Sequence, residues 1–408
     1  MLRRAVYGRI EGMKNGFWTF RYTLINVTYF AAFCTIHALA AVYLLANGFT
    51  NTEVGVLLAV ANITSALCQP FIAGIIDKPG PLTNRRFILI SVTVILIGSI
   101  LLRFLSSYKV IVFIVYALIY MIQFAYQPVM TALCFEYQKA GCNIFYGLAR
   151  GLGSASFAVT SAFMGGAVEK NGVDILLAVN VITMVLSAVV VFTFKKPEGG
   201  TEETVSEEAP KGEAHNNIID FARTYPAFSV FLIGTVCFYF AHNMINDFMI
   251  QIIRSLGGAE TELGYANFLQ AILELPVMAV IGFFLKKISS DKMLVFSGTA
   301  FFVKILILMF VTNMAGMYVS QSFQLFAYAV FIPAAAYYVS KTMDELDQVK
   351  GQAYVTSAIT VGGVFSNLIS GVILDNLGIK AMLGTGCTVC AVGVVIGFIA
   401  MNKLPHHA

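Results

Sequence analysis

KKPEGGTEETVSEEAPKGEAHNNIID, residues 195–220, is the one long hydrophilic stretch in an otherwise apolar chain. Its Glu, Pro and Gly content is that of a solvated linker, with too few apolar side chains to offset the entropy of ordering. On either side run windows of the roughly 20 apolar residues that a helix needs to cross the hydrocarbon core of a bilayer. Six precede the linker, near 18–45, 53–76, 87–106, 110–135, 144–168 and 174–194. Six follow it, near 226–253, 262–285, 292–312, 315–340, 351–374 and 380–402. The linker therefore predicts two bundles of six spans: an N-terminal bundle over 1–194, a cytoplasmic linker over 195–225 and a C-terminal bundle over 226–408.

Composition points the same way. Of 408 residues, 58% are hydrophobic and 12% charged, and the mean hydropathy is +0.79, which a water-soluble enzyme of this length could not hide in its core. The windows are long and continuous, whereas barrel strands are short and alternating, so the fold class is an all-α membrane protein with the lipid bilayer as its solvent. Most of the 26 Lys and Arg fall on one side if both termini are cytoplasmic. This positive-inside asymmetry gives the net charge of +4 a meaning in orientation, with no nucleic-acid partner implied. The expected location is the cytoplasmic (inner) membrane, with a retained first helix in place of a cleaved signal. The seven cysteines show no paired or metal-type spacing, so they read as small buried hydrophobes, and no cofactor or metal is expected.

The two halves carry matching features about two hundred residues apart. Span two opens Gly48-Phe-Thr-Asn-Thr-Glu53-Val-Gly55 and span eight opens Gly258-Ala-Glu-Thr-Glu262-Leu-Gly264. Span five ends Gly165-Gly-Ala-Val-Glu169-Lys-Asn-Gly172 and span eleven ends Gly371-Val-Ile-Leu-Asp375-Asn-Leu-Gly378. Together they favour two parallel repeats. Small residues, Gly147, Gly151 and Ser154 on span five and Gly362, Gly363 and Ser366 on span eleven, are expected to let helices approach closely.

Polar residues at helical spacing form stripes that lipid would penalise, so they face other helices or water. They include Asn26 on span one, Tyr120, Gln123 and Gln127 on span four, Gln270 and Glu274 on span eight, and Gln321, Gln324 and Tyr328 on span ten. Spans three, six and twelve are almost featureless and suit lipid contact. Ionisable residues inside or at the edge of spans are costly and mark solute or proton pathways. Here they are Glu136, Arg150, Asp247, Glu274 and Lys304. Arg150 offers a guanidinium fork to solute hydroxyls or a carboxylate. Glu274 and Lys304, each about thirteen residues into its span, lie at similar depth and are expected to pair. Asp247, with His242, Asn243 and Asn246, forms a secondary cluster near the outer end of span seven. Glu136, at the cytoplasmic end of span four, reads as an interfacial charge.

Gln69-Pro70, Gly74-Ile-Ile-Asp77-Lys78 and Arg85-Arg86 resemble the loop motif between helices two and three of the major facilitator superfamily, although Pro79-Gly80-Pro81 distorts its spacing. Lys14-Asn15-Gly-Phe17-Trp18-Thr-Phe20, Tyr146-Gly147-Leu-Ala-Arg150-Gly-Leu-Gly153-Ser154 and Gly298-Thr299-Ala-Phe-Phe-Val-Lys304 are similar to its lactose-permease-like branch of oligosaccharide:proton symporters. The resemblance implies a gating role for Asp77, Lys78, Arg85 and Arg86, a solute contact for Arg150 and an aromatic ring, Phe157, against a sugar. It also implies a functional monomer. Two departures stand out. Gln324 and Ala327 occupy positions where that branch carries a histidine and a glutamate, and Lys304 stands where an arginine is usual.

The sequence thus favours a secondary transporter that moves a small polar solute, of sugar, oligosaccharide or nucleoside type, by alternating access, with proton symport through Glu274 and Asp247 as the expectation and, given Gln324 and Ala327, uncoupled or otherwise coupled transport as the alternative. A proton-driven drug or metabolite exporter of the same fold is the alternative, with a more apolar cavity expected. A polytopic membrane enzyme would need acidic, histidine or metal-ligand clusters at the interface, for which no loop beyond the linker is long enough, and a non-transporting sensor would be separated by a flux assay. No Gly-Lys-Ser/Thr phosphate loop supports an ATP-driven pump.

Overall fold

A computed structural model describes residues 2–76, 80–196 and 218–403, with side chains described for 16–76, 80–196 and 219–402. Its elements are α1 (Leu2–Phe33), a π-helical turn (Cys34–Ala38), α2 (Ala40–Ala46), α3 (Asn51–Ile76), α4 (Asn84–Phe104), α5 (Lys109–Lys139), α6 (Tyr146–Asn171) and α7 (Asp174–Thr193). After the linker come α8 (Ile218–Thr224), α9 (Pro226–Asp247), α10 (Met249–Ser255), α11 (Glu260–Leu285), α12 (Ser290–Phe310), α13 (Met314–Ser322), a 3₁₀ turn (Phe323–Leu325), α14 (Tyr328–Thr342) and α15 (Glu345–Lys403).

Among the described residues, ten helices are long and apolar enough to cross a membrane, and the pair Gly16–Ala38 and Ala40–Ala46, bent by 50°, makes an eleventh span. One of the ten, Glu345–Asn402, has 58 residues. At 1.5 Å per residue a straight rod of that length would be about 87 Å, far beyond a hydrocarbon core of about 30 Å. Gly378 resolves this. Its φ of 80° interrupts the helical backbone inside α15, a left-handed conformation that glycine adopts without a Cβ penalty. The two sides of Gly378 are the eleventh and twelfth spans, which gives the expected number.

The described chain forms two compact units, the first holding residues up to Tyr43 and from Thr64 through α7, the second holding Leu44–Ile63 and α8 onward. In the first unit α1 packs on α6 and α7, and α4 on α5 and α7. A Cβ on Gly153 would stand 2.6 Å from a ring carbon of Phe30 and 3.1 Å from Cβ of Asn26, so the α1–α6 contact needs glycine there. The expected glycines behave differently. At Gly147 and Gly151 a Cβ would meet no heavy atom within 4 Å, so the sequence named the right helix and the wrong face of it.

In the second unit α9 packs along α15 on both sides of Gly378, and α12 packs on α14 and α15. The expectation holds for Gly362, where a Cβ would sit 2.6 Å from the carbonyl oxygen of Val236. The segment Leu44–Ile63, which the linker assigns to the N-terminal bundle, is grouped with this unit. Asp375 caps the start of α3, accepting from the backbone N–H of Asn51 (3.2 Å) and Thr52 (2.7 Å) and from the Asn51 amide (2.8 Å). A carboxylate at a helix N-terminus both fills orphan donors and complements the helix dipole.

Candidate solute and coupling sites

Each unit gathers its own set of the polar residues that the sequence singles out. In the second, α11 presents Gln270 and Glu274 one turn apart, and the broken span of α13, the 3₁₀ turn and α14 presents Gln321 and Gln324. The spacing builds two rungs. Gln270 Nε2 donates to Gln321 Oε1 at 2.6 Å, and Gln324 Nε2 donates to Glu274 Oε1 at 2.8 Å. Lys304 of α12 then donates from Nζ to Gln324 Oε1 at 2.8 Å. Lys304 is 1% exposed and Gln324 2%, so an ammonium group stands in the bundle with an amide as its hydrogen-bond acceptor.

The Lys304–Glu274 pairing expected from depth is corrected in form. The hydrogen bonds run through Gln324, whose amide accepts from the cation with its oxygen and donates to the carboxylate with its nitrogen. This polarity is the only one that satisfies all three groups, because an amide oxygen cannot donate and an ammonium cannot accept. The 3₁₀ turn sets it up. Ser297 Oγ donates to the carbonyl of Ala327 at 2.7 Å, Ser320 Oγ to the carbonyl of Lys304 at 2.7 Å, and these bonds tie the break to α12 on both sides of Gln324. Short 3₁₀ pieces within a span often mark a functional hinge.

The other rung extends onto α9. Gln270 also reaches Asn246 Oδ1 at 3.4 Å, and Asn246 Nδ2 lies 2.9 Å from His242 Nε2. The His242 ring stacks on Tyr328, with centroids 5.4 Å apart and planes at 16°. Asp247, half-buried at the end of α9, lies instead beside Asn367 of α15, so the structure separates it from the Glu274 network.

In the first unit Arg150 stands on α6 with its Cζ 4.2 Å from the centroid of the Phe30 ring, and its Nη1 donates to Ser154 Oγ at 2.7 Å. The ring faces stabilise the guanidinium there, and among the described residues of this unit no carboxylate pairs with it. Phe30 begins an aromatic series. Phe33 lies 6.2 Å from Phe30 and 6.4 Å from Phe157, His37 stacks on Phe33 at 3.7 Å, and Tyr120 follows at 3.8 Å from His37. Ring contacts thereby connect Arg150, Phe157 and Tyr120, three of the residues expected to contact a solute. Gln123 lies near His37 but is fully buried, and neither polar atom of its side chain makes a hydrogen bond of good geometry.

Other expectations fall away from these sets. Asn26 is fully buried in the α1–α6 contact and donates to the Tyr22 carbonyl of its own helix at 3.0 Å, which makes it a packing residue. Gln127 is half-buried on α5, one turn before Thr131, which donates to its carbonyl. Arg85 donates to the carbonyls of Val191 and Phe192, the end of α7, and Arg86 to that of Pro81 at 2.6 Å. Both therefore satisfy backbone acceptors, Arg85 those that a helix C-terminus leaves over. Asp77 and Lys78 lie outside the described residues. Glu136 accepts from Asn84 and pairs with Lys196, each at 2.8 Å, an interfacial clamp as expected.

Sequence reasoning leaves Phe30 and His37 out of the site residues and groups Asn246 and His242 with Asp247, whereas the structure links them to Gln270. His37 follows Phe33 by four residues and carries a signal of periodicity, but the π turn that seats it has no sequence mark. For Gln321 the signal was present, as the i, i+3 partner of Gln324.

A profile of the MFS_1 like family matches residues 20–403, and no curated protein matches the chain in sequence. Among solved structures, the nucleoside transporter NupG superposes with a TM-score of 0.77 at 15% identity, covering 95% of this chain and all of that one. A bacterial homologue of the human lysosomal transporter Spinster gives 0.68 at 12% identity, over 95% of this chain and 97% of that one. An auto-inhibited peptide transporter of the POT family gives 0.73 at 8% identity, over 96% and 99%. At these identities the likeness is one of fold.

Proposed function

The chain belongs to the MFS_1 like family and is a multi-pass membrane transporter, and on that premise we propose that it carries a small polar solute of sugar or nucleoside type by alternating access, in symport with protons. Both termini are assigned to the cytoplasm on the positive-inside pattern, and the working unit to a monomer. The observation that carries the reading is the chain from the buried Lys304 and Gln324 to the half-buried Glu274.

Gln324 is the group whose capture changes the charges around it. A solute hydroxyl that takes over its Nε2 donor leaves Glu274 without that bond, and a carboxylate deprived of a donor in a low-dielectric site binds a proton. Departure of the solute restores the amide bridge, and the proton leaves. Because Gln324 has no ionisable group, it links cation and anion without itself holding the proton, which assigns proton binding to Glu274. Arg150, with its face on Phe30 and its edge on Ser154, supplies the fork that holds solute hydroxyls in the first unit, and Phe157 the ring for the apolar face of the solute. NupG's description as a nucleoside transporter supports placing nucleosides beside sugars in the first trial.

The test is uptake of labelled lactose, melibiose, uridine and adenosine into sealed vesicles, with and without an imposed pH gradient. Accumulation of one of these that rises with an inward-directed proton gradient and is lost in Glu274→Gln supports the reading. Uptake equal with and without the gradient removes the symport, and no uptake of any of the four removes the solute class.

A further inference from the structure

The geometry points to a binding site for phosphatidylethanolamine at the membrane-surface end of α4 and α7, apart from the solute and coupling residues. A cavity of about 210 Å³ opens there, with Arg103 and Asp174 at its mouth and Ile100, Phe104, Leu177 and Val181 along its walls. Arg103 lies in the last turn of α4, and Asp174 opens α7. The apolar wall descends from them by up to two turns, to Val181, which is about 10 Å along the helix. The order of groups, charges at the membrane surface and apolar walls below, is that of a phospholipid from headgroup to acyl chain.

Charge selects the headgroup. Arg103 Nη1 stands 3.2 Å from Asp174 Oδ2, and their side chains are 59% and 46% exposed. A pair so exposed holds itself together weakly, so either partner can exchange for a ligand group. Each charge is also independently favoured by its own helix, the guanidinium at a C-terminus and the carboxylate at an N-terminus, so both remain charged when a headgroup comes between them. Arginine presents a fork that fits a phosphate, and aspartate accepts from an ammonium that still carries hydrogens. Phosphatidylethanolamine has both groups. Phosphatidylcholine has no N–H to donate, and phosphatidylglycerol brings no cation to Asp174.

The floor of the cavity does not compete for the headgroup. Ser99 is buried and its Oγ donates to Asn180 Oδ1 at 3.0 Å. Ile100 and Phe104, by contrast, are 47% and 79% exposed, which leaves apolar surface for an acyl chain.

The experiment is native mass spectrometry of the full chain released from micelles that contain equal amounts of phosphatidylethanolamine, phosphatidylcholine and phosphatidylglycerol. One phosphatidylethanolamine is expected to stay bound about tenfold more often than either other lipid, the ratio for one charge-assisted hydrogen bond of about 1.5 kcal/mol. Arg103→Gln and Asp174→Asn should each abolish the preference. Ala178→Trp, which fills the cavity and keeps both charges, should abolish retention of the lipid itself. Equal retention of the three lipids by the parent chain overturns the site, and so does a preference that survives all three substitutions. Neither outcome depends on solute transport.

Discussion

Gln324→Leu tests the coupling chain by removing its middle member at nearly constant volume. The parent holds two hydrogen bonds at 2.8 Å, one to an ammonium and one to a carboxylate. Bonds to charged groups contribute about 1.5–3 kcal/mol each, and Lys304, only 1% exposed, has no water to fall back on. A loss of about 3 kcal/mol is expected even if Glu274 recovers half of its interactions through solvent. For a cooperative unit of about 200 residues that is a fall of about 6–12 °C in the unfolding midpoint, read by thiol-reactive dye or by heating and size exclusion in detergent. The combined variant Lys304→Met, Gln324→Leu and Glu274→Gln should regain most of this stability, because removing a buried ionic group together with its partners is close to neutral. It should regain no transport. A midpoint for Gln324→Leu within about 2 °C of the parent would refute the claim that the amide holds these two charges.

Arg150→Lys keeps the charge but loses the planar face on Phe30 and the fork, so uptake of the solute should fall at least tenfold in kcat/KM, checked by initial rates, with the midpoint shifted by no more than the cation–π contribution of about 1 kcal/mol. Gly362→Ala places a methyl 2.6 Å from a backbone oxygen and should cost about 1–3 kcal/mol, whereas Gly151→Ala, with open space around it, should stay within about 0.5 kcal/mol; thermal midpoints of the two read the contrast. Asp375→Ala removes the acceptor for three donors at the start of α3 and should cost about 1–2 kcal/mol by the same assay.

The spans were legible because a bilayer leaves the backbone no partner but itself, so each crossing must be a long apolar helix. Their breaks were less so. Gly378 stands between two apolar windows and marks its own turn, but nothing in Phe323-Gln324-Leu325 announces a 3₁₀ turn, which is tied by Ser297 and the Lys304 carbonyl of another helix, α12. The same holds for charge. Depth along a span put Lys304 and Glu274 at one level, which is a property of sequence position. That Gln324 stands between them depends on the rotation of three helices about their axes, and hydropathy does not encode rotation finely enough. Asn26 shows the limit most plainly. It shares a stripe with positions expected to face a solute, yet it lies against Gly153, because α1 presents that edge of the stripe to α6.

The most direct measurement is the proton itself. Cells or vesicles in weakly buffered medium, without any imposed gradient, receive the solute identified by uptake while the external pH is followed. The account predicts a transient alkalinisation on addition, as each solute enters with a proton, and its disappearance in Glu274→Gln at a solute concentration where binding persists. An alkalinisation that survives in Glu274→Gln, or solute entry by the parent chain with no movement of protons, would contradict the assignment of coupling to the Lys304–Gln324–Glu274 chain.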